Sequence, residues 1–212
     1  MKKLLYIIRH GETDLNKKGI VQGKGVDTPL NHLGNQQANA FYEAYKHTSF
    51  NRIYTSTLQR THQTVASFIA DGLPWEQLEG LDEICWGIYE GKEQTQEILT
   101  GFNSVTKKWS EGLLDLRVEN GESPNDVQKR QKKAIDYILS KDGEKQVLIC
   151  MHGRAMRILL CLLSGKLLKE MDDFPHTNTA LYIVSYEDGI FTIEDHYNTD
   201  HLAKLQQAKQ SV

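Results

Sequence analysis

Apolar runs at residues 4–8 and 147–151 each lead into a histidine followed by glycine: Arg9-His10-Gly11 after the first, His152-Gly153 after the second. Runs this short, unbroken by charge, fit strands buried on both faces of a parallel sheet. Open α/β sheets place their ligand crevice outside the carboxyl ends of such strands. The chain is thereby constrained to an α/β fold that aims both imidazoles at one edge of the sheet and into one site.

The intervening pattern completes the architecture. Asn31 reads as the N-cap of a helix through Ala38, Phe41 and Tyr45, and residues 52–55 read as a short strand. Leu58, Val65, Phe68 and Ile69 recur at helical spacing, with Arg60 off that stripe in the first turn, next to a strand end. Ser123-Pro124 opens a helix carrying Val127, Ala134, Ile135, Ile138 and Leu139 on one face; Met156, Leu159, Leu160 and Leu163 form another after Gly153. Residues 75–81 supply a further strand, and 180–186 with 191–197 a hairpin turning at Glu187-Asp188-Gly189. The expectation is a three-layer α/β/α fold with a mostly parallel central sheet and one antiparallel edge strand. Residues 11–33 read as a long site-lining loop, 82–120 as a helical insertion over the site, and the polar tail from Asp200 as a terminal helix or frayed end. No Pro/Gly/Ser-rich linker divides residues 1–212, so a single domain is expected.

Composition narrows the partners. An apolar content of 39% with 25% charged residues is that of a soluble globular chain, and a net charge of -3 argues against nucleic acid as a partner. Any anion site must therefore be a focused one. The first apolar run ends at Arg9, too short for a signal peptide or a membrane span, so no membrane and a cytoplasmic location are expected. Cys85, Cys150 and Cys161 have no CxxC spacing and read as reduced thiols. His32, His47, His62, His176, His196 and His201 show no metal-ligand spacing; no metal is expected, and most of these read as solvated surface residues.

The segment Arg9-His10-Gly11-Glu12-Thr13-Asp14-Leu15-Asn16 resembles the signature of the histidine phosphatase superfamily, the phosphoglycerate-mutase-like enzymes. The resemblance continues through Gln22-Gly23, Asp27-Thr28-Pro29-Leu30, Ser56-Thr57-Leu58-Gln59-Arg60-Thr61, Leu81-Asp82-Glu83, Gly121-Glu122-Ser123 and His152-Gly153 with Arg157. It implies a phosphoglycerate-mutase-like fold, no cofactor, and a small phosphorylated metabolite as partner, with homodimerisation left open.

The same resemblance, read beside the chemistry, distributes roles. A neutral imidazole attacks phosphorus in line when its other nitrogen is fixed by a hydrogen bond, which makes His10 the expected nucleophile. Arg9 and Arg60 are the expected guanidinium clamp, and His152, expected to be cationic with phosphate bound, adds a donor. The Gly153 N–H opens a helix and attracts anions. Asn16 is implied to reach the phosphate, Gln22 to contact substrate, and Glu83 to act first as acid and then as base. Ile84 stands where the mutase branch carries arginine, which favours a phosphomonoester hydrolase working through a phosphohistidine. The alternatives are a cofactor-dependent phosphoglycerate mutase and a non-catalytic module that binds phosphorylated ligands or protein. Lys92, Lys107, Lys108 and Arg117 read as a solvated helix face that a second anionic group could also meet, and Arg154 either favours anionic substrates or faces solvent.

Overall fold

The computed structural model describes residues 2–203 and 205. In chain order the elements are β1 (Lys3–Arg9), α1 (Asp14–Lys17), α2 (His32–Tyr45), β2 (Arg52–Thr55), α3 (Gln59–Thr64), α4 (Ala66–Ala70) and β3 (Trp75–Gln77). There follow α5 (Gln96–Ser110), α6 (Pro124–Leu139), β4 (Gln146–Met151), α7 (Gly153–Ser164), β5 (Leu181–Glu187) and β6 (Ile190–Asn198). The strands form one six-stranded sheet in the order β3-β2-β4-β1-β5-β6.

Alternation along the central strands divides the core between the two faces of the sheet. Leu5 and Ile7 of β1 join Val147, Ile149 and Met151 of β4 in one cluster with Val127, Ile135 and Ile138 of α6 and Met156, Leu159 and Leu160 of α7. Ile8, Leu148 and Cys150 point the other way and pack with Phe41 of α2, Phe68 of α4 and Phe50. The result is the expected α/β/α layering.

The pairing of β1 with β4 decides where the site lies. The two strands are parallel and in register Arg9↔Met151, so His10 and His152 leave the sheet side by side. Parallel pairing of β2 with β4, Thr55 opposite Cys150, brings residues 56–60 to the same edge. A single strand, β5, opposes the direction of its neighbours, and it lies one place inside the edge because β6 pairs along its outer side.

Caps appear where sequence placed them. The side chain of Asn31 accepts from Gly34 N at the start of α2, and Ser123 forms a reciprocal capping box with Asp126 at the start of α6, with Pro124 in its first turn. Elsewhere local structure is more broken than the periodicity predicted. The expected helix after Leu58 divides at Val65 into α3 and α4, and the strand from Trp75 ends at Gln77, followed by a 3-10 turn at Glu79–Leu81. The long loop contains α1, held by a capping box between Thr13 and Asn16. Gly11 and Gly34 let α2 approach the first histidine loop: a Cβ on Gly11 would sit 2.6 Å from the Gly34 carbonyl oxygen, and one on Gly34 2.0 Å from that of Glu12. Beyond a 3-10 turn at Asp200–Leu202, most of the tail lies outside the described residues.

Candidate active site

At the carboxyl edge of β1 and β4 opens a cavity of about 360 Å³, lined by Arg9, His10, Asn16, Gln22, Glu83, Gly153 and His176 among others. The His10 ring is 3% exposed, and its Nδ1 lies 2.7 Å from the Gly11 carbonyl oxygen. A carbonyl only accepts, so Nδ1 carries the proton and the lone pair sits on Nε2. Burial, reinforced by the charges of Arg60 and Arg9, holds this imidazole well below the usual histidine range. It is therefore neutral at physiological pH, with the Nε2 lone pair free.

Arg9 leaves the end of β1 with Nη1 donating to the His176 carbonyl oxygen at 2.7 Å and close to His176 Nδ1 at 3.2 Å. Its Nε is buried without a hydrogen-bond partner among the described residues. Burial lowers its pKa to about 10, which leaves it charged at neutral pH. A buried, charge-bearing N–H with no acceptor is costly unless an anion supplies one. Gly153 makes room for this arrangement, since a Cβ there would stand 3.4 Å from Arg9 Nε and 3.2 Å from the His176 ring.

His152 and Arg60 form a pair behind the cavity rather than in its lining. Arg60 is fully buried; its Nε donates to His152 Nδ1 at 3.1 Å and its Nη1 to the Val26 carbonyl at 2.6 Å. Because Nδ1 accepts, His152 is neutral with its proton on Nε2, which donates to Ser56 Oγ at 2.7 Å. Burial and the Arg60 charge hold this ring neutral, well below the usual histidine range; the cation is expected of the phosphate-bound site. Ser56 Oγ lies 3.2 Å from Thr61 Oγ1, and Thr61 in turn donates to the Leu58 carbonyl at 2.8 Å. This chain of hydroxyls terminates the hydrogen-bond run from Arg60 and fixes the ring. The His10 and His152 rings are 5.1 Å apart, centroid to centroid.

Glu83 occupies two positions in the logic of the site at once. It lines the cavity, yet Oε1 accepts from Ile84 N at 2.9 Å and Ala155 N at 2.8 Å, while Oε2 accepts from Arg154 N at 3.1 Å. The carboxylate thereby caps α7, whose N-cap position, His152, offers no side-chain cap of its own. Asn16 Oδ1 accepts from Thr13 N at 3.2 Å and Asn178 Nδ2 at 3.3 Å, which leaves its Nδ2 as the group to offer an anion. Gln22 is pinned at both ends, donating to Thr13 Oγ1 at 2.7 Å and accepting from Thr28 Oγ1 at 2.6 Å.

Two site residues escaped the sequence reading. His176 was expected at the surface with most other histidines, but it lines the cavity, and burial with the nearby Arg9 charge lowers its pKa to about 3. Asn178 ties the His10 carbonyl, at 3.0 Å, to Asn16. The only sequence signal was their position just before β5, the strand that pairs with β1. Lys92, Lys107, Lys108 and Arg117 do not line the cavity, whereas Arg154 does. Among the described residues no group of three or more His, Cys, Asp or Glu is placed to hold a metal ion, and no helix is long and apolar enough to cross a membrane.

The chain is similar to known proteins in sequence and in fold. The chain is 32% identical over 151 residues to "Fructose-2,6-bisphosphatase TIGAR" of Mus musculus, covering 67% of this chain and 54% of that protein, so it spans about half of that relative. It is 31% identical over 163 residues to "Probable phosphoglycerate mutase GpmB" of Yersinia pestis (strain Pestoides F), covering 76% of this chain and 74% of that one. The solved α-ribazole phosphatase from Shigella flexneri superposes with a TM-score of 0.81 over 92% of this chain and 96% of its own, at 22% identity, a likeness of fold. The model of the histidine phosphatase superfamily (branch 1) matches residues 5–199, nearly the whole chain, and the chain belongs to that family.

Proposed function

We propose that this chain is a phosphomonoester hydrolase that works through a phosphohistidine at His10 on a small phosphorylated metabolite. The observation that carries the reading is the pairing of a neutral His10, its Nδ1–H donating to the Gly11 carbonyl, with the unpartnered Nε–H of Arg9 at the same cavity. One group is a nucleophile and the other a fixed donor awaiting an anionic oxygen.

In the first half-reaction the Nε2 lone pair attacks phosphorus and the phosphorus–oxygen ester bond breaks, its electron pair leaving on the alcohol oxygen. Arg9 Nε, Asn16 Nδ2 and the Gly153 N–H at the start of α7 hold the equatorial oxygens. Arg60 and His152 act through the ring and loop they fix, and Arg60 adds positive charge from behind. Glu83, the sole carboxyl in the cavity lining among the described residues, takes up a proton from solvent as the anionic ester binds and passes it to the leaving oxygen, returning to the carboxylate. In the second half-reaction water attacks the phosphorus, passes a proton to the Glu83 carboxylate, and the phosphorus–nitrogen bond breaks to restore neutral His10 and release phosphate.

The absence of arginine beside Glu83, where Ile84 is fully buried, supports hydrolysis over mutase activity. Residues 1–212 act as a single unit in this reading, in the cytoplasm, where Cys150 and Cys161 stay as buried thiols. The test is acid-labile, base-stable phosphate trapped on His10 during turnover, with release of inorganic phosphate that His10→Ala abolishes. Transfer to 3-phosphoglycerate in the presence of its bisphosphate, faster than release to water, would overturn it in favour of the mutase.

A further inference from the structure

We propose that His176 is a further substrate-binding residue of this site, a neutral imidazole whose Nε2–H donates to a non-bridging oxygen of the phosphoryl group beside Arg9. The proposal rests on the phosphatase reading above and deepens it with a donor from the segment before β5, outside the motifs that carry the family resemblance.

The tautomer follows from a neighbour that can only donate. Arg9 Nη1 lies 3.2 Å from His176 Nδ1 and 2.7 Å from the His176 carbonyl oxygen. A guanidinium accepts nothing, so Nδ1 turns its lone pair to Arg9 and the ring proton sits on Nε2. Among the described residues no acceptor takes that proton, and Nε2, unlike Arg9 Nε, is not sealed from solvent. The residue lines the same cavity as Arg9, His10 and Gly153. Burial together with the charges of Arg9, Arg157 and Arg154 holds the ring neutral, so it adds a donor there without adding another positive charge.

The ring is fixed from both sides along the chain. Before it, the Phe174 carbonyl accepts from Arg157 Nε at 2.8 Å and the Pro175 carbonyl from the Tyr182 hydroxyl at 2.6 Å. After it, Asn178 Nδ2 donates to the His10 carbonyl at 3.0 Å and Thr179 N to the Arg9 carbonyl at 3.1 Å. A Cβ on Gly153 would stand 3.2 Å from the ring, so the imidazole and the N-terminus of α7 border the same space. A donor held this way needs little reorganisation as charge builds on the phosphoryl oxygens.

Three variants separate this donor from the ring nitrogen that steadies Arg9. His176→Phe keeps a ring and removes both nitrogens, His176→Asn restores an acceptor near the place of Nδ1, and His176→Gln restores an N–H near the place of Nε2. Binding of inorganic phosphate is measured by calorimetry, and kcat/KM with an aryl phosphate. His176→Phe and His176→Asn are expected to weaken phosphate binding about tenfold and to lower kcat/KM about 10-fold to 100-fold, with His176→Gln recovering most of both. The wild-type protein supplies a measurement independent of any variant: nitrogen NMR of the labelled imidazole is expected to show the Nε2–H tautomer, with that resonance moving when phosphate is added. An Nδ1–H tautomer, recovery by His176→Asn as full as by His176→Gln, no measurable phosphate binding by the wild type, or binding by His176→Phe within about twofold of wild type overturns the proposal. Phosphate binding that depends on His176, with no ester hydrolysis by the wild type, leaves the donor standing and removes the phosphatase reading instead.

Discussion

Replacing Glu83 by glutamine separates the structural part of this residue from its chemistry. The carboxylate accepts from Ile84 N and Ala155 N on one oxygen and from Arg154 N on the other, at 2.8–3.1 Å. Glutamine can keep its carbonyl oxygen toward the first pair only by turning its NH2 against the Arg154 N–H, so one charge-assisted bond becomes two opposed donors. A hydrogen bond to a charged group contributes about 1.5–3 kcal/mol, and a negative charge at a helix N-terminus a further 0.3–1 kcal/mol or so. Glu83→Gln should therefore cost about 2–3 kcal/mol, which for a domain of this size lowers Tm by roughly 4–12 °C. Urea unfolding followed by circular dichroism gives the stability, and phosphate release from an aryl phosphate gives the activity, expected to fall about 100-fold or more. An unfolding free energy within about 0.5 kcal/mol of wild type would refute the capping argument, whatever happened to the rate.

Three other perturbations test separate parts of the site. Arg9→Lys keeps the charge but removes the Nε donor and the fork, so kcat/KM should fall about 100-fold while Tm changes little; a wild-type rate would show that Nε is not the donor. Ser56→Ala strands the His152 Nε2 proton in the core and should cost about 1–3 kcal/mol in urea unfolding, whereas an unchanged midpoint would place that proton elsewhere. His10 and His152 are both held neutral below the ordinary histidine pKa, so the unfolded chain binds more protons than the native one as pH falls below about 6.5. Stability should decline from there downward by up to about 1.4 kcal/mol per pH unit for each ring, while the acid limb of kcat/KM should show no ionisation near 6.5 from the nucleophile; a flat stability profile between neutral pH and about pH 5 would contradict the buried neutral pair.

Much of the fold was legible because its signals are local. The runs before His10 and His152, the Asn31 and Ser123 caps and the glycine turn at residues 187–189 depend on residues within a few positions of one another, and the structure follows them. Short-range patterning did not show the division at Val65, whose backbone leaves the helical region at φ -109 and ψ 14, or the early end of β3 at Gln77. Arg60 shows the difference most clearly. Lying off the apolar stripe of its helix beside a strand end, it reads as a member of the site's guanidinium clamp, but nothing local shows that it is fully buried, with the Gly23 and Val26 backbone carbonyls accepting from its guanidinium.

What the sequence determined by itself was the layered α/β architecture, the sheet edge that bears the chemistry, and the family to which the chain belongs. Those follow from strand and helix periodicity and from motifs whose members are contiguous. Only the tertiary structure decided that the site histidines are neutral, which arginine keeps a free donor, and which side chains line the cavity. Each of these depends on desolvation and on partners, most of them brought in from distant parts of the chain: Arg60 for His152, the amides of α7 for Glu83, and α5 for part of the cavity lining. Protonation and specificity are properties of the surroundings of a side chain, and those surroundings exist only once the layers have packed.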